Sequence, residues 1–448
     1  MDSLSVQNKI SECQELHEHH SSLTVLFFPF AAYGPINQCI AMGDVLRRHG
    51  HRVVIAVDRM WQEKLTSLGF EVYLTDLGDP TIQNPGEYWA NFARDTLSKV
   101  RQPTIMQLEA LVNPAIHAVI EETKRYQQQM RLILDQVQPN VVIQDNAACL
   151  PILLTNGVPF VRVVSCNPLE IPGPNVPPTF SGLPQDDHSE WDRFRNEYER
   201  VIRPMWEDFN SWVQQHGLPP LPDLQFNCES KYANIYIYPQ EADYTENRPL
   251  GPTWHRIDSS VRETDCHFEL PISLRERPEG SCLVYVSLGT LVSADVELLQ
   301  HLIDVLSRTV HRFIFSKGLY GDQLKLPNTM YGEANLPQTK VLPLVDLVIT
   351  HGGNNTVTES LHFGKPMILL PICWDQHDNA QRMHEKGFGV RLDTYQFTDE
   401  DLLVAVDTLL KDTALRDRMA LLGEQIRGRD GVRLAADIIE RVGYENLI

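Results

Sequence analysis

The chain has 448 residues, 42% of them hydrophobic, enough to bury the cores of two ordinary domains and to exclude a mainly disordered protein. With 59 acidic against 39 basic residues, the formal net charge of −20 argues against nucleic acid or an anionic membrane as the main partner, so an anionic ligand has to be held by local dipoles and hydrogen bonds. The eight cysteines show no C-x-x-C spacing, which points to reduced thiols of a cytoplasmic protein and away from a zinc site or a disulfide framework.

Residues 1–21 are polar, include His17, His19 and His20, lack a signal-peptide core and read as a solvated, flexible leader. No apolar run approaches the roughly 18 residues a membrane span needs, and no hydrophobic tail precedes Ile448. A strand over 23–30, a loop over 31–37 carrying Tyr33 and Pro35, a helix stopped at His49-Gly50 and a strand over 52–57 form a βαβ opening. Such alternation favours a parallel, doubly wound sheet. Trp89, Phe92, Trp191 and Trp206 are candidates for an apolar ligand wall, against the ordinary role of tryptophan in packing. A strand over 141–144 runs into Asp145 and Asn146, and the Pro-rich stretch 171–184 reads equally as the border of a pocket or as a surface excursion. Residues 245–280, rich in Pro, Gly and charge, fit an interdomain connection, with the boundary near 250. The same grammar restarts with a strand over 282–288, a helix capped by Ser293 and a strand over 312–316. Leu402, Leu403, Val406, Leu409 and Leu410 then share one helical face, opened by the helix-start acids Asp399 and Asp401, and amphipathic helix continues to the end.

The densest chemistry lies at residues 351–381, HGGNNTVTESLHFGKPMILLPICWDQHDNAQ. A short apolar strand over 346–350 precedes it, and a helix over 356–363, closed by Gly364 and Pro366, follows. The free N–H groups and positive dipole end of that turn attract phosphate. His351 can donate to a phosphate oxygen, Gly353 lets the backbone approach, Asn355 and Thr356 add donors, and Glu359, one turn on, can accept from ribose hydroxyls.

HGGxNTxxE followed by P-x-x-x-D-Q-x-x-NA resembles the signature of the UDP-dependent glycosyltransferases that act on small lipophilic acceptors. The resemblance extends upstream to Leu336-Pro337-Gln338 and to the strand and loop 284–290, strongest from about 281 to 393. It implies the GT-B fold: an α/β protein of two facing Rossmann-like domains with parallel sheets and an interdomain cleft. The expected division is 22–249 for the N-terminal, acceptor-binding domain, 250–280 for the connection and 281–429 for the C-terminal, UDP-sugar-binding domain, with a helix near 430–445 crossing back onto the first. The chain is similar to the soluble kind found in bacteria, plants and mites.

On the donor side the resemblance implies Ser287, Gly289 and Thr290 in a phosphate-contacting loop, Leu336 reading uracil through its backbone and Gln338 near ribose. Asp375 and Gln376 match the pair that holds sugar hydroxyls, the glutamine being commonest with UDP-glucose as donor. No metal and no other cofactor are expected. Tyr33, Pro35, Trp89 and Asn146 are assigned to the acceptor side. Two positions depart from the family pattern. Asn335 replaces the usual tryptophan that stacks on uracil, a contact worth about 1–3 kcal/mol in other nucleotide sites. Pro35 stands where the family has its catalytic histidine, while Asp145 matches the aspartate that orients it. Asp145 reads equally as a proton acceptor in its own right and as a structural remnant. General base catalysis contributes about 10²- to 10⁴-fold, so phenols and amines should suffer least from the loss.

The leading expectation is an inverting UDP-glucose-dependent transferase for lipophilic molecules such as phenolics, amines or xenobiotics, suited to detoxification. The alternative from another class is a UDP-sugar-binding protein whose catalysis left with the histidine. A GT-B nucleotide-sugar epimerase is a third, opposed by the Pro337-Gln338 and Asp375-Gln376 elements. Partners are the sugar donor and a small acceptor, with the oligomeric state left open.

Overall fold

The computed structural model describes residues 22–76, 84–263, 266–289 and 294–446. The leader at 1–21, Thr290 and Ser293 lie outside the described residues. Seven strands form the first sheet: β1 (Thr24–Pro29), β2 (Arg52–Val57), β3 (Glu71–Leu74), β4 (Val141–Asp145), β5 (Phe160–Val164), β6 (Ala233–Ile237) and β7 (Trp254–Ile257). Their order is β3-β2-β1-β4-β5-β6-β7, every neighbouring pair parallel. The second sheet contains β8 (Leu283–Ser287), β9 (Arg312–Ser316), β10 (Met330–Glu333), β11 (Leu347–Thr350), β12 (Met367–Leu369) and β13 (Gly389–Arg391), in the order β10-β9-β8-β11-β12-β13. Central strands such as VVIQD and LVYVS are buried along their whole length, because helices cover both faces of a parallel sheet. In both sheets the strand order reverses beside the first strand, between β1 and β4 and between β8 and β11, and ligands of doubly wound folds settle at the carboxyl ends of strands at such reversals.

The longer helices are α1 (Tyr33–Arg48), α2 (Pro85–Val100), α3 (Asn113–Val137), α4 (Trp191–Gln215), α5 (Val296–Leu306), α6 (Asn354–His362), α7 (Asp375–Glu385), α8 (Asp399–Lys411), α9 (Thr413–Gly428) and α10 (Gly431–Glu445). Several boundaries correct the sequence reading. Helix α1 begins at Tyr33, so the loop ends there and Pro35 occupies the first helical turn, where a missing N–H costs no intrahelical bond. Helix α5 is capped by Asp295, whose carboxylate accepts from the Leu298 N–H at 3.1 Å. Helix α6 starts at Asn354, two residues earlier than the pattern suggests, with Gly353 as its N-cap. Residues 254–257, placed in the connection by their composition, pair with β6 as the seventh strand. The stretch is short and mixed in polarity, so only its neighbour gives it strand geometry.

Two elements tie the halves together. Helix α10 sends Ala435, Ala436, Ile438, Ile439 and Val442 into the core formed by β1, β2, β4, β5 and β6. Its Glu440 accepts from His49 at 2.6 Å and His51 at 3.0 Å. Helix α7 carries a polar face against the first domain. Asp378 accepts from the Phe180 and Gly182 N–H groups at 2.7 and 2.8 Å, and the Arg382 guanidinium donates to the Ala242 and Asp243 carbonyls at 2.7 and 2.6 Å. The Pro-rich stretch 171–184 is therefore fastened to the second domain at its far end. Among the described residues no helix is long and apolar enough to cross a membrane.

Candidate active site

The turn from β11 to α6 gathers most of the donor-side candidates. The His351 ring lies between two glycines: a Cβ at Gly289 would come within 2.6 Å of the imidazole and one at Gly353 within 2.5 Å. Gly353 thus makes room for the ring as much as for a ligand. Burial lowers the His351 pKa to about 4, against a hydrogen bond with the Ser287 backbone, so the imidazole is neutral near pH 7 and can donate one N–H. The ring stands at the N-terminal end of α6, where unpaired backbone N–H groups and the dipole favour an anion. Thr356 sits in that first turn and accepts from the Gln338 amide at 3.3 Å.

One turn on, Glu359 is almost wholly buried. Its carboxylate accepts from the Gln338 amide at 2.7 Å and from Arg262 at 2.8 Å, and the Tyr285 hydroxyl donates to Gln338 at 3.3 Å. Arg262, on the segment between the sheets, escapes sequence reasoning because nothing local marks it. Leu336 packs on the second core and Asn335 is exposed.

Two donor-side candidates face elsewhere than expected. Asn355 is bound across the cleft: its oxygen accepts from the Gln38 amide at 2.5 Å and its NH₂ donates to the Gly34 carbonyl at 3.2 Å, so it bridges α1 and α6 rather than adding a free donor. Gln376 is buried with its amide oxygen turned back onto the Ile372 and Cys373 N–H groups at 3.2 and 3.3 Å, closing its own turn in place of reaching toward sugar hydroxyls. Asp375 is partly exposed and accepts from the Asn167 N–H at 3.0 Å; burial raises its pKa to about 6 against that bond. The turn before it is held open by Trp374, whose φ of 51° is rare for a residue with a side chain and whose ring stacks on Phe92, centroids 5.9 Å apart. Asn354 donates to the Ser165 and Ile237 carbonyls, and Asn379 to the Gly352 carbonyl. These lie inside the motif, yet no local signal gives their partners.

On the opposite side, the pairing of Pro29 with Asp145 sets the end of β4 beside the start of α1. The Ala31 carbonyl accepts from the Trp61 and Trp89 indoles at 3.1 and 3.3 Å, and Tyr33 meets Trp61 edge to face at 4.9 Å, so Tyr33, Pro35 and Trp89 cluster around one turn. Asn146 follows Asp145, its carbonyl accepting from Asn227 at 2.8 Å. Trp191 and Trp206 lie on α4 and donate to the Pro184 and Gln225 carbonyls in the flanking segments, so neither joins this cluster through a hydrogen bond. Asp145 is buried; one oxygen accepts from the Ser165 hydroxyl at 3.0 Å and the other finds no partner among the described residues. Burial raises its pKa to about 8, partly offset by the Ser165 bonds.

Two parallel Rossmann-like sheets, each with its strand order reversing beside its first strand, define the GT-B fold. Residues 258–426 match the family described as UDP-glucoronosyl and UDP-glucosyl transferase. NDP-glycosyltransferase YjiC of Bacillus subtilis (strain 168) is 23% identical over 419 residues, 91% of this chain and 94% of that one. Sterol 3-beta-glucosyltransferase of Pichia angusta is 28% identical over 244 residues, which span 51% of this chain but only 19% of that protein. In fold, the solved glycotransferase of kitacinnamycin superposes with a TM-score of 0.67 at 18% identity, covering 95% of this chain and 100% of that one. Residues 258–426 thus carry a UDP-glycosyltransferase family match, and the chain is similar to glycosyltransferases over nine-tenths of its length.

Proposed function

We propose an inverting, metal-independent transferase that moves glucose from UDP-glucose to lipophilic small molecules, phenols, amines and xenobiotics among them, in the cytoplasm. The observation that carries this reading is the neutral His351 ring seated between Gly289 and Gly353 at the start of α6, with the buried Glu359 one turn beyond. In it, His351, the α6 N–H groups and Thr356 stabilise the charge that grows on the leaving diphosphate, with Ser287 and Gly289 along the same oxygens. Glu359 and Gln338 take the ribose, the Leu336 backbone takes uracil, and Asp375 takes sugar hydroxyls. The acceptor, held near Tyr33, Pro35, Trp89 and Asn146, attacks the anomeric carbon from the face opposite the departing UDP, which inverts the configuration.

Proton removal is the weak step. Pro35 offers no base, and Asp145, with a pKa of about 8, is mostly protonated at neutral pH. That observation favours a second reading, a UDP-sugar-binding protein with catalysis weakened or lost. Calorimetry with UDP on the parent, His351→Ala and Glu359→Ala proteins tests the donor site: weakened binding is expected, and affinity unchanged in both would refute the assignment. Product masses from mixed phenols, alcohols and amines then separate enzyme from binding protein.

A further inference from the structure

Cys149 and Cys228, 79 residues apart in the chain, have sulfur atoms 3.5 Å from one another and share a hydrogen bond. Both are free thiols. The segments that carry them are already paired by other bonds. The Cys149 N–H donates to the Phe226 carbonyl at 2.8 Å, while Asn227 accepts from Gln144 at 3.2 Å and donates to the Asn146 carbonyl at 2.8 Å. Since a disulfide has its sulfurs about 2.05 Å apart, an approach of about 1.5 Å brings these two to bonding distance. The two thiols also differ in the way an attacking and a resolving sulfur must. Cys228 is partly exposed and is held below its ordinary pKa by the Cys149 hydrogen bond, with Arg162 nearby. Cys149 is fully buried and held high by its bond to Cys228 and by burial.

We propose that Cys149 and Cys228 form a reversible dithiol–disulfide site whose oxidation slows glycosyl transfer. The oxidant is a low-molecular-weight disulfide such as that of glutathione. The Cys228 thiolate attacks one of its sulfurs, forming a mixed disulfide and releasing one thiolate. Cys149, giving up its proton, then attacks the Cys228 sulfur and releases the second. Two protein thiols are oxidised, one small disulfide is reduced to two thiols, and the two protons leave with them. The consequence for transfer rests on the proposed role of Asp145 and Asn146. Asn227, adjacent to Cys228, grips the Asn146 carbonyl and the Gln144 amide, so drawing the sulfurs together shifts the segment that ends β4. A displacement of about 1 Å at a reacting centre can cost about 10²-fold.

The test treats the full chain, natively folded, with glutathione disulfide, blocks remaining thiols, and maps peptides without reductant. The parent, Cys149→Ser, Cys228→Ser and Cys266→Ser proteins are compared, the exposed Cys266 reporting that the oxidant is active. We expect peptides joined at 149 and 228 in the parent and in Cys266→Ser, and a mixed disulfide held on residue 228 in Cys149→Ser. Transfer to a phenol should fall about ten- to a hundredfold in the oxidised parent and recover with dithiothreitol. No joined peptide while Cys266 is modified, or a joined peptide with unaltered transfer, overturns the proposal. A reduced protein inert toward every acceptor counts instead against the functional reading, and the peptide map alone then decides the site.

Discussion

His351 is an imidazole wedged between two α-carbons, and that geometry exposes it to changes that never touch its own side chain. Alanine at Gly289 or Gly353 would put a methyl group 2.6 or 2.5 Å from the ring, and at Gly289 it would also strain a φ of +71°. Either substitution should push the imidazole aside and weaken UDP binding to the extent expected of His351→Ala. The loss of a hydrogen bond to a charged group, about 1.5–3 kcal/mol, is roughly a ten- to hundredfold rise in Kd, readable by calorimetry. Undiminished UDP binding in both would show that the ring is not a phosphate donor. Asp145 supports a prediction of a different kind. If it takes the acceptor proton itself, kcat/KM for alcohols should climb as pH rises through about 8, where its carboxyl ionises, and Asp145→Ala should lose most of that rate. If it is a remnant, Pro35→His should raise the rate on alcohols and leave amines unchanged, and only in that background should Asp145→Ala matter. Linkage gives an independent check. A folded pKa of about 8 against the ordinary 3.8 means a contribution to stability that is full at low pH and lost as pH rises through about 8. Asp145→Asn should therefore raise the urea midpoint above about pH 8 and leave it unmoved below about pH 4.

At the scale of elements, α10 is attached by an apolar stripe and by one acid. Burial alone would raise the Glu440 pKa, but the His51 and His49 hydrogen bonds outweigh it and hold the carboxyl below the ordinary glutamate value. For a depressed carboxylate the stabilisation is present above its unfolded pKa and disappears as pH falls through the folded one, so the clasp should fail only under acid conditions. Glu440→Ala should cost about 1–3 kcal/mol, since buried His51 loses a partner. A urea titration at neutral pH measures it, and an unshifted midpoint would assign α10 docking wholly to Ala435, Ile438, Ile439 and Val442.

The whole molecule bears on metal use. The single Asp-x-Asp spacing in the chain that invites comparison with a metal-holding pair, Asp399 and Asp401, is spent on structure. Asp401 completes a capping box with Thr398, each backbone N–H answered by the other's side chain, and Asp399 pairs with Arg308 at 2.7 Å. Among the described residues no group of three or more His, Cys, Asp or Glu is set to hold a metal ion. The proposed mechanism assigns the leaving-group charge to the α6 terminus and His351, so transfer should persist undiminished in EDTA. Complete loss that manganese restores would sink that mechanism.

Local chemistry was legible along the chain: the restart of strand and helix at Leu283, the β11 turn around His351, the capping acids of α8 and the apolar face of α10 follow from periodicity and turn residues that act over a few positions. The family resemblance rested on the same local pattern. Partners were another matter. Asn355 meets Gln38 across 317 residues and Asp375 meets Asn167 across 208, and no spacing rule encodes which amide turns toward which backbone once two domains dock. The same holds for Arg262 on Glu359, for the thiols of Cys149 and Cys228 and for the left-handed Trp374. Pro35 is read from the sequence as a missing base. That it stands in the first turn of α1, beside a β4 end where Asp145 is buried on Ser165, depends on the pairing of β1 with β4, a long-range contact only the folded sheet supplies.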